Sequence, residues 1–418
     1  MKNINIIIYA SMLAKQCVEA IENTHRELFA ALKKHFDVHC PLSDDLRSSS
    51  VAPRHNESKL SFCTRFVVRS VMYQDVDFAH LDGYNIVLVA TGGTEGLIVK
   101  DYDRLPHPLV LLTDGKANSL AATLELGTWI RNKGDVCTII HGSIEHIVEE
   151  LQAKTAMFGQ RIGVLGAPSD WLVSSGVDYE MVRKAWGVEY VDIPLSKVED
   201  YYAQVTDSDA SIIAHEFAHN AKRILEPSDK EITKSVRLYL ALKRIVEEYG
   251  LNALTIQCFS LITSLHTTGC VALALLNDDG IMAGCEGDLQ TIFTMLYAKR
   301  VMGKDSFMAN PAFIDTERNE IVFAHCTIGL KQTMGYVVRS HFESQSGVAI
   351  QGILPLKKVT IMKFGGRALE KSIILHGTIV ENQDDERKCR TQIRIALDST
   401  SNVDYFLTRS IGNHHVIF

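Results

Sequence analysis

Gly284-Cys285-Glu286-Gly287-Asp288 joins two segments of different pattern. The apolar run Gly280-Ile281-Met282-Ala283 before it is typical of a short buried strand, and residues 289–302 after it have helical periodicity. Asp288 is placed to cap this helix, and Gly303 can end it. In open α/β sheets, ligands bind in the crevice outside the carboxyl ends of the strands. Capping leaves Glu286 unexplained, and we expect its carboxylate to face such a crevice.

On both sides of this junction, short apolar runs alternate with helical segments. A capping box, Ser228 with Glu231, opens a periodic run that Gly250 ends. Such alternation predicts parallel sheets with helices on both faces. We therefore predict an α/β fold with two doubly wound parallel-sheet domains, residues 1–155 and 156–340. The predicted strands are 5–9, 84–90, 109–113, 136–141, 161–166, 253–258 and 321–324, and the predicted helices include 17–34, 120–132 and 229–249.

The pattern changes after His341. Strand-like runs follow one another at short spacing with turn residues between them, and we find no convincing helix. This pattern predicts an antiparallel β-rich C-terminal domain, residues 341–418. The runs are 347–354, 358–363, 372–380, 391–397 and 403–408.

Composition excludes several classes of protein. The 418 residues are 46% hydrophobic and 22% charged, which is an ordinary globular balance. A net charge of -7 disfavours nucleic acid and anionic membranes as partners, so a small molecule is the better expectation. Nine cysteines without a CxxC motif indicate reduced thiols. With no signal-peptide pattern and no apolar run of roughly 20 residues, we expect a cytoplasmic protein.

Two loops stand out by composition. Residues 43–57 carry little periodicity and are predicted to form a surface loop. Thr91-Gly92-Gly93-Thr94-Glu95-Gly96 directly follows a strand and is typical of a tight turn that a ligand can approach closely. It matches neither a dinucleotide-binding motif nor a phosphate-binding loop. A plain turn and a ligand-facing loop both remain open for it.

His215-Glu216-Phe217-Ala218-His219 matches the HExxH pattern of zinc hydrolases. On a helix, both imidazoles would share one face, with the glutamate as general base. The pattern has two free positions and lacks a convincing third ligand, since Glu231 and Glu247 fall on an ordinary charged helix face. Tandem sheets are also the wrong context. A zinc hydrolase is therefore the weaker alternative, and we expect an ordinary packed or surface helix.

A second set of polar residues lies at the predicted ends of strands. His325 follows the buried run 321–324, which repeats the strand-end placement of Glu286, and His415 lies near the C-terminal end. Mixed carboxylate and imidazole ligands suit a divalent ion, for which manganese is the better choice and zinc or iron the alternatives. Each histidine taken alone is more often structural than a ligand. The associates of this set are Asp288, Asn310 and Glu343.

These residues carry a family resemblance. The motifs resemble the metal-site motifs of L-arabinose isomerases and of the related L-fucose isomerases. The resemblance implies two α/β domains followed by a β-rich domain, and a divalent metal that assists aldose–ketose isomerisation of a sugar through an enediol. It also implies a homo-oligomer, a trimer or a hexamer. The matching motifs are Glu286-Gly287-Asp288, Ser306-Phe307-Met308, Asn319 with the segment 321–325, and His414-His415, joined by Thr91-Gly92-Gly93-Thr94-Glu95 and the segment 118–122.

The resemblance also implies roles for individual residues. Glu286 takes the place of the first metal-binding and proton-transferring glutamate, while His325 and His415 take the places of the two histidine ligands. The family has a second carboxylate after a pair such as Phe307-Met308, whereas this chain has Ala309 and Asn310 there. An amide coordinates through its oxygen but does not shuttle protons.

Substitutes are therefore needed for that second carboxylate, and we expect Asp288 or Glu343 to serve as the second acid–base group. Asn310 and His341 are assigned to substrate binding. The loss of the carboxylate leaves a non-catalytic sugar-binding protein as an alternative function to the isomerase.

Overall fold

The computed structural model describes residues 3–11, 21, 23–39, 66–69 and 83–418, and the chain divides into two units. The first unit is Met1–Phe158 with Arg183–Gly187, and the second is Gly159–Val182 with Val188–Phe418. The predicted loop at 43–57 and much of the first half of the predicted helix at 17–34 lie outside the described residues. Among the described residues, no helix is both long and apolar enough to cross a membrane.

The first unit contains a sheet whose strand pairs are all parallel where the structure describes them. Alternate residues of its strand Asn3–Tyr9 enter two separate cores. Ile6 packs with the helices Arg26–His35 and Ile144–Met157, and Ile7 packs with helices on the other face. This is the period-two burial expected of a parallel strand covered on both sides. The strands are Asp37–His39, Asn3–Tyr9, Phe66–Arg69, Tyr84–Val89, Val110–Leu112 and Thr138–Ile140, and the opposite helices are Glu95–Asp101 and Ser119–Asn132.

The second unit contains a four-stranded parallel sheet in its first half. Its helices include the predicted Asp229–Tyr249, which the Ser228–Glu231 capping box opens and which ends at Gly250 in a left-handed conformation. The strand order is Met282–Gly284, Ala253–Ile256, Arg161–Leu165 and Glu189–Ile193. The remaining helices are Tyr179–Trp186 (shared between the units), Leu195–Gln204, Asp207–Asn220, Cys258–Ser264, Cys270–Asp278 and Leu289–Arg300.

The predicted antiparallel β-rich segment is a closed barrel of six strands among the described residues. Two barrel strands precede residue 341, so the antiparallel region begins earlier in the chain than the change of pattern suggested. The division into domains at 1–155, 156–340 and 341–418 stays a prediction. In order around the barrel, the strands are Phe307–Asp315, Glu320–His325, Thr391–Leu397, Lys371–Gln383, Lys358–Gly365 and His415–Ile417. A separate sheet has three strands, with Tyr336–Arg339 in the middle. This strand pairs with Ala349–Gly352 on one side and with Arg223–Ile224 on the other.

One strand prediction in this region is wrong. Residues 403–408 form the short helix Asp404–Thr408 and not a strand. The Asn402 side chain accepts a hydrogen bond from the Asp404 N–H, which favours a turn at this point. The helical turn places Tyr405 in the interior, where it is 3% exposed. Alternating apolar residues over so short a run cannot distinguish this arrangement from a strand.

One buried lysine gives the first unit an expected pH dependence. Lys154 lies with its Nζ atom 3.5 Å from the centre of the Trp186 ring, and burial lowers its pKa to about 8, while Glu150 opposes the shift. Between that value and about 10.4, the unfolded chain binds a proton that the folded chain does not. The stability of the folded state should therefore rise with pH in this window.

We expect Lys154→Met to be more stable than the unaltered protein at pH 7, by up to about 3 kcal/mol, because it removes the cost of the buried charge. The advantage should shrink towards pH 10. Urea unfolding at pH 7 and at pH 10 measures this difference in the free energy of unfolding, with Lys133→Met as a surface control. An advantage that is constant with pH would contradict the burial argument.

Candidate metal site

The backbone turns sharply between the strand Met282–Gly284 and the helix Leu289–Arg300. Glu286 has a φ of 63° and Gly287 a φ of 72°, both in the left-handed region. A Cβ atom on residue 287 would lie 2.6 Å from the Ala167 carbonyl oxygen, so only glycine fits this close approach. A left-handed glutamate is uncommon and costs roughly 1–3 kcal/mol, and such strain concentrates at functional sites.

Asp288 begins the helix, as the sequence predicts. Its side chain is fully buried, and its Oδ1 atom accepts a hydrogen bond from the Thr291 N–H at 2.8 Å. Its Oδ2 atom lies 2.8 Å from His414 Nδ1 and 3.6 Å from Lys363 Nζ. One carboxylate therefore caps the helix and orients a histidine from the far end of the chain.

Glu286 lies beside two histidines. Its Oε1 atom is 3.9 Å from His325 Nε2 and 3.5 Å from His414 Nε2. With bonds of 2.0 to 2.2 Å to one ion, ligand atoms are separated by about 3.0 to 4.2 Å, depending on coordination geometry. Among the described residues, these three form the group of His, Cys, Asp or Glu side chains that is close enough to share an ion.

His414 has the chemical form of a metal ligand. A carboxylate only accepts hydrogen bonds, so the contact with Asp288 places a proton on Nδ1. The opposite nitrogen, Nε2, is buried and has no hydrogen-bond partner among the described residues. Histidine ligands commonly donate their second N–H to a carboxylate in this way. The donor set therefore fits a divalent ion held by Glu286, His325 and His414.

The charges of this group support one another. Burial would raise the pKa of Glu286, but the nearby imidazoles of His325 and His414 hold it well below its usual range. Burial would lower the pKa of His414, but Asp288 and Glu286 raise it to about 9. At neutral pH the His414 imidazole therefore carries a second proton. Because metal ligands bind in deprotonated form, an ion would have to displace this proton.

His415, the histidine that the resemblance favoured, lies elsewhere. Its Nδ1 atom donates to the Asn413 carbonyl oxygen at 2.8 Å, and its Nε2 atom accepts from the Tyr405 hydroxyl at 3.1 Å. Its ring packs against Phe323 and Phe406, and burial with the charge of Lys363 lowers its pKa to about 3. The structure thus brings His414, and not His415, to Glu286. Adjacent residues of an extended segment point to opposite faces, and the sequence alone does not show whether His414 or His415 faces Glu286.

The other predicted site residues have different surroundings. The Asn310 Oδ1 atom is shielded from solvent and has no hydrogen-bond partner in the described part of the chain. His341 is buried, with its Nδ1 atom 3.1 Å from the Ser344 hydroxyl. Glu343 is exposed. Hydrogen bonding to Cys326, burial and the charges of Glu343 and Glu286 raise the pKa of Cys389.

The HExxH residues lie on the surface helix Asp207–Asn220. His215, Glu216 and His219 are exposed, and the two imidazole rings stack with centres 6.0 Å apart. They are not part of a three-residue metal group among the described residues. The helix is the ordinary surface helix that we expected.

The glycine-rich loop at 91–96 borders a cleft of about 660 Å³ in the first unit. The Thr91 hydroxyl accepts a hydrogen bond from the Ser11 N–H at 2.8 Å, which joins the ends of two neighbouring strands. Gly92 and Asn118 also line this cleft. The loop therefore borders an open cleft, with which a plain turn and a ligand-facing loop both agree.

Comparisons with known proteins bear on this site. No family model matches the chain. A sulfoquinovose isomerase of a Clostridium species is 30% identical over 141 residues, which cover 33% of this chain but only 30% of that protein. Sulfoquinovose isomerases of Priestia aryabhattai and Priestia megaterium are each 23% identical over 327 residues, or 73% of this chain and 68% of theirs. The sulfoquinovose isomerases belong to the L-fucose isomerase-like superfamily, so these similarities agree with the family resemblance of the motifs around Glu286.

Proposed function

We propose that the protein is a divalent-metal-dependent aldose–ketose isomerase of a sugar. The observation that carries this proposal is the group of Glu286, His325 and His414, in which Asp288 fixes the proton of His414 on Nδ1. The names of the relatives support sugar isomerisation, and sulfoquinovose is the substrate they give. That sugar is therefore the first to test, beside hexoses, pentoses and deoxy sugars.

Isomerisation moves a proton between two adjacent carbons and needs acid–base groups beside them. A bound divalent ion would polarise the oxygens on those carbons. The resemblance gives Glu286 the proton-transferring role, so we assign its carboxylate to take the proton from one carbon. Asp288 keeps His414 in one tautomer and one orientation. The Asn310 amide oxygen is buried and has no partner among the residues that the structure describes, so it can accept a hydrogen bond from a substrate hydroxyl.

The second acid–base group in this proposal is Glu343. Asp288 is fully buried and both of its oxygens are engaged, by Thr291 and by His414. Glu343 is exposed. The exposed Glu343 side chain suits a residue that must exchange protons with solvent. His341, two residues earlier, is assigned to the substrate side of the site.

Several finer properties belong to the same proposal. We propose manganese as the ion, held by one carboxylate and two imidazoles with open positions for substrate oxygens. We further propose a cytoplasmic homo-oligomer, a trimer or a hexamer, with two doubly wound domains before the barrel. These rest on the family resemblance and on the sequence pattern.

A second candidate function is a non-catalytic sugar-binding protein. The observation that favours it is Asn310, which stands where the family has its second carboxylate. Such a protein would bind manganese and a sugar but would not convert the sugar. The zinc hydrolase has no comparable support, since His215 and His219 are exposed and belong to no three-residue metal group in the described part of the chain.

A matched pair of variants tests the metal ligands. We expect His414→Gln to weaken manganese binding by more than about 100-fold, since loss of a direct ligand exceeds the roughly 10- to 100-fold cost of losing a supporting residue. His415→Gln, one residue further on, should leave the affinity within a few fold. Isothermal titration calorimetry on both proteins, with folding checked by circular dichroism, measures the difference. The reverse order of effects would return the ligand role to His415.

A turnover assay tests the isomerase itself. The manganese-loaded protein should convert at least one aldose of the panel to its ketose, and Glu286→Gln should abolish conversion while sugar binding largely persists. Chromatographic detection of the ketose is the measurement. Sugar binding without isomerisation across the whole panel would favour the binding protein instead.

Glu343 and Asp288 should differ in the quantity that they change. We expect Glu343→Gln to lower kcat at saturating manganese, by about 100-fold or more, because it removes a proton-transfer group. Asp288→Asn should instead raise the manganese Kd, by about 10- to 100-fold, with a smaller effect on kcat once the ion is saturating. Steady-state rates across a manganese titration separate the two. A larger fall in kcat for Asp288→Asn would reverse the assignment.

A further inference from the structure

Trp171 is a residue that core packing does not explain. Its side chain is 54% exposed, on the loop that follows the strand Arg161–Leu165. Its Nε1–H donates a hydrogen bond to Glu286 Oε2 at 2.6 Å. An apolar ring that is left in solvent, with its one polar atom on the carboxylate of the proposed site, points to a role at that site.

The loop is fixed by the same segment that carries Glu286. The Ser169 N–H donates to the Glu286 carbonyl oxygen at 2.9 Å. Further along the loop, the buried Gln290 amide donates to the Ser174 carbonyl oxygen at 3.1 Å. Contacts on both sides of Trp171 therefore set its position relative to Glu286, so the indole is held in place and is not a free surface side chain.

The two oxygens of Glu286 have separate partners as a result. Oε1 faces His325 and His414, while Oε2 is held by Trp171. A carboxylate with one oxygen fixed in this way presents the other in a single direction. Groups that orient a ligand in a metal site are often needed for full affinity.

A row of rings starts at this hydrogen bond. The Trp171 and Phe259 rings meet edge to face with centres 5.1 Å apart, and Phe259 meets His341 with centres 5.6 Å apart. A sugar has an apolar face of C–H groups and a rim of hydroxyls. The row of rings offers the C–H face a surface for close packing. The Glu286 carboxylate and the His341 imidazole beside this row can bind the hydroxyls.

We propose that Trp171 positions Glu286 for metal binding and, with Phe259, forms the surface on which a sugar packs its C–H face. The inference rests on the proposed metal site and adds a positioning residue and an orientation for the substrate. Trp171 acts on the ion through Glu286, whereas Phe259 acts on the sugar alone and not on the ion.

The positioning role is tested with manganese alone. Trp171→Phe keeps a ring and loses the N–H, and we expect the manganese Kd to rise about 10-fold or more. In a Glu286→Gln background the same change should have little further effect, because the two residues act through one contact. Val173→Ala, on the same loop and 91% exposed, is the matched control and should leave the Kd unchanged. Additive effects of Trp171→Phe and Glu286→Gln would assign Trp171 only a structural role.

The stacking role is tested with sulfoquinovose and L-fucose as probes. Phe259→Leu should weaken sugar binding about 10-fold and leave the manganese Kd unchanged, since it interrupts the row without touching Glu286. Sugar should also change tryptophan emission in the unaltered protein, and this change should disappear in Trp171→Phe, where Trp129 and Trp186 remain as background. Absence of an emission change with either sugar, or its persistence without Trp171, would overturn the stacking role.

The outcomes separate this inference from the proposed function. Manganese binding that is normal in the unaltered protein and unchanged in Trp171→Phe overturns the positioning role and leaves the metal site intact. No manganese binding by the unaltered protein overturns both.

Discussion

The buried carboxylate of Asp288 is the constraint on which the second unit depends. A charge removed from water is costly unless other charges and hydrogen bonds compensate for it. Asp288 meets this requirement with the Thr291 N–H, with His414 and with Lys363. Thr291 belongs to the helix that follows the parallel sheet. Lys363 lies in a barrel strand, and His414 directly precedes another barrel strand. The ionic network therefore joins the α/β part of the unit to its barrel.

This network also explains why the proposed ligands converge although they are far apart in the chain. Lys363 donates to the Thr291 hydroxyl at 2.8 Å, and that hydroxyl lies 3.4 Å from the His414 carbonyl oxygen. His414 is thus held at its side chain and at its backbone. His325 comes from the end of a different barrel strand, with its Nδ1 atom 3.1 Å from the Thr327 hydroxyl. Each imidazole has one nitrogen fixed by the protein and directs the other towards Glu286, which is the organisation of a prepared ligand site.

Local pattern was sufficient for much of this arrangement. The Asp288 cap, the Ser228–Glu231 capping box and the strand that ends at His325 are set by residues near one another in sequence, so they could be predicted. The choice between His414 and His415 depends on strand register across the barrel, which distant residues decide. The Trp171 contact is likewise invisible to pattern, because it joins residues 115 positions apart. The short helix Asp404–Thr408 was missed because five residues are too few to show a helical period.

The left-handed backbone of Glu286 has a consequence for anyone who wishes to make the protein more robust. Glycine would adopt this conformation with little strain, so a selection for thermal tolerance alone would favour losing the glutamate. The natural sequence has glutamate here, although its backbone is more strained than that of glycine would be. A search for stabilising substitutions should leave this position unchanged. Positions where the observed residue disagrees with its own backbone preference are also a practical guide to what selection has preserved for reasons other than folding.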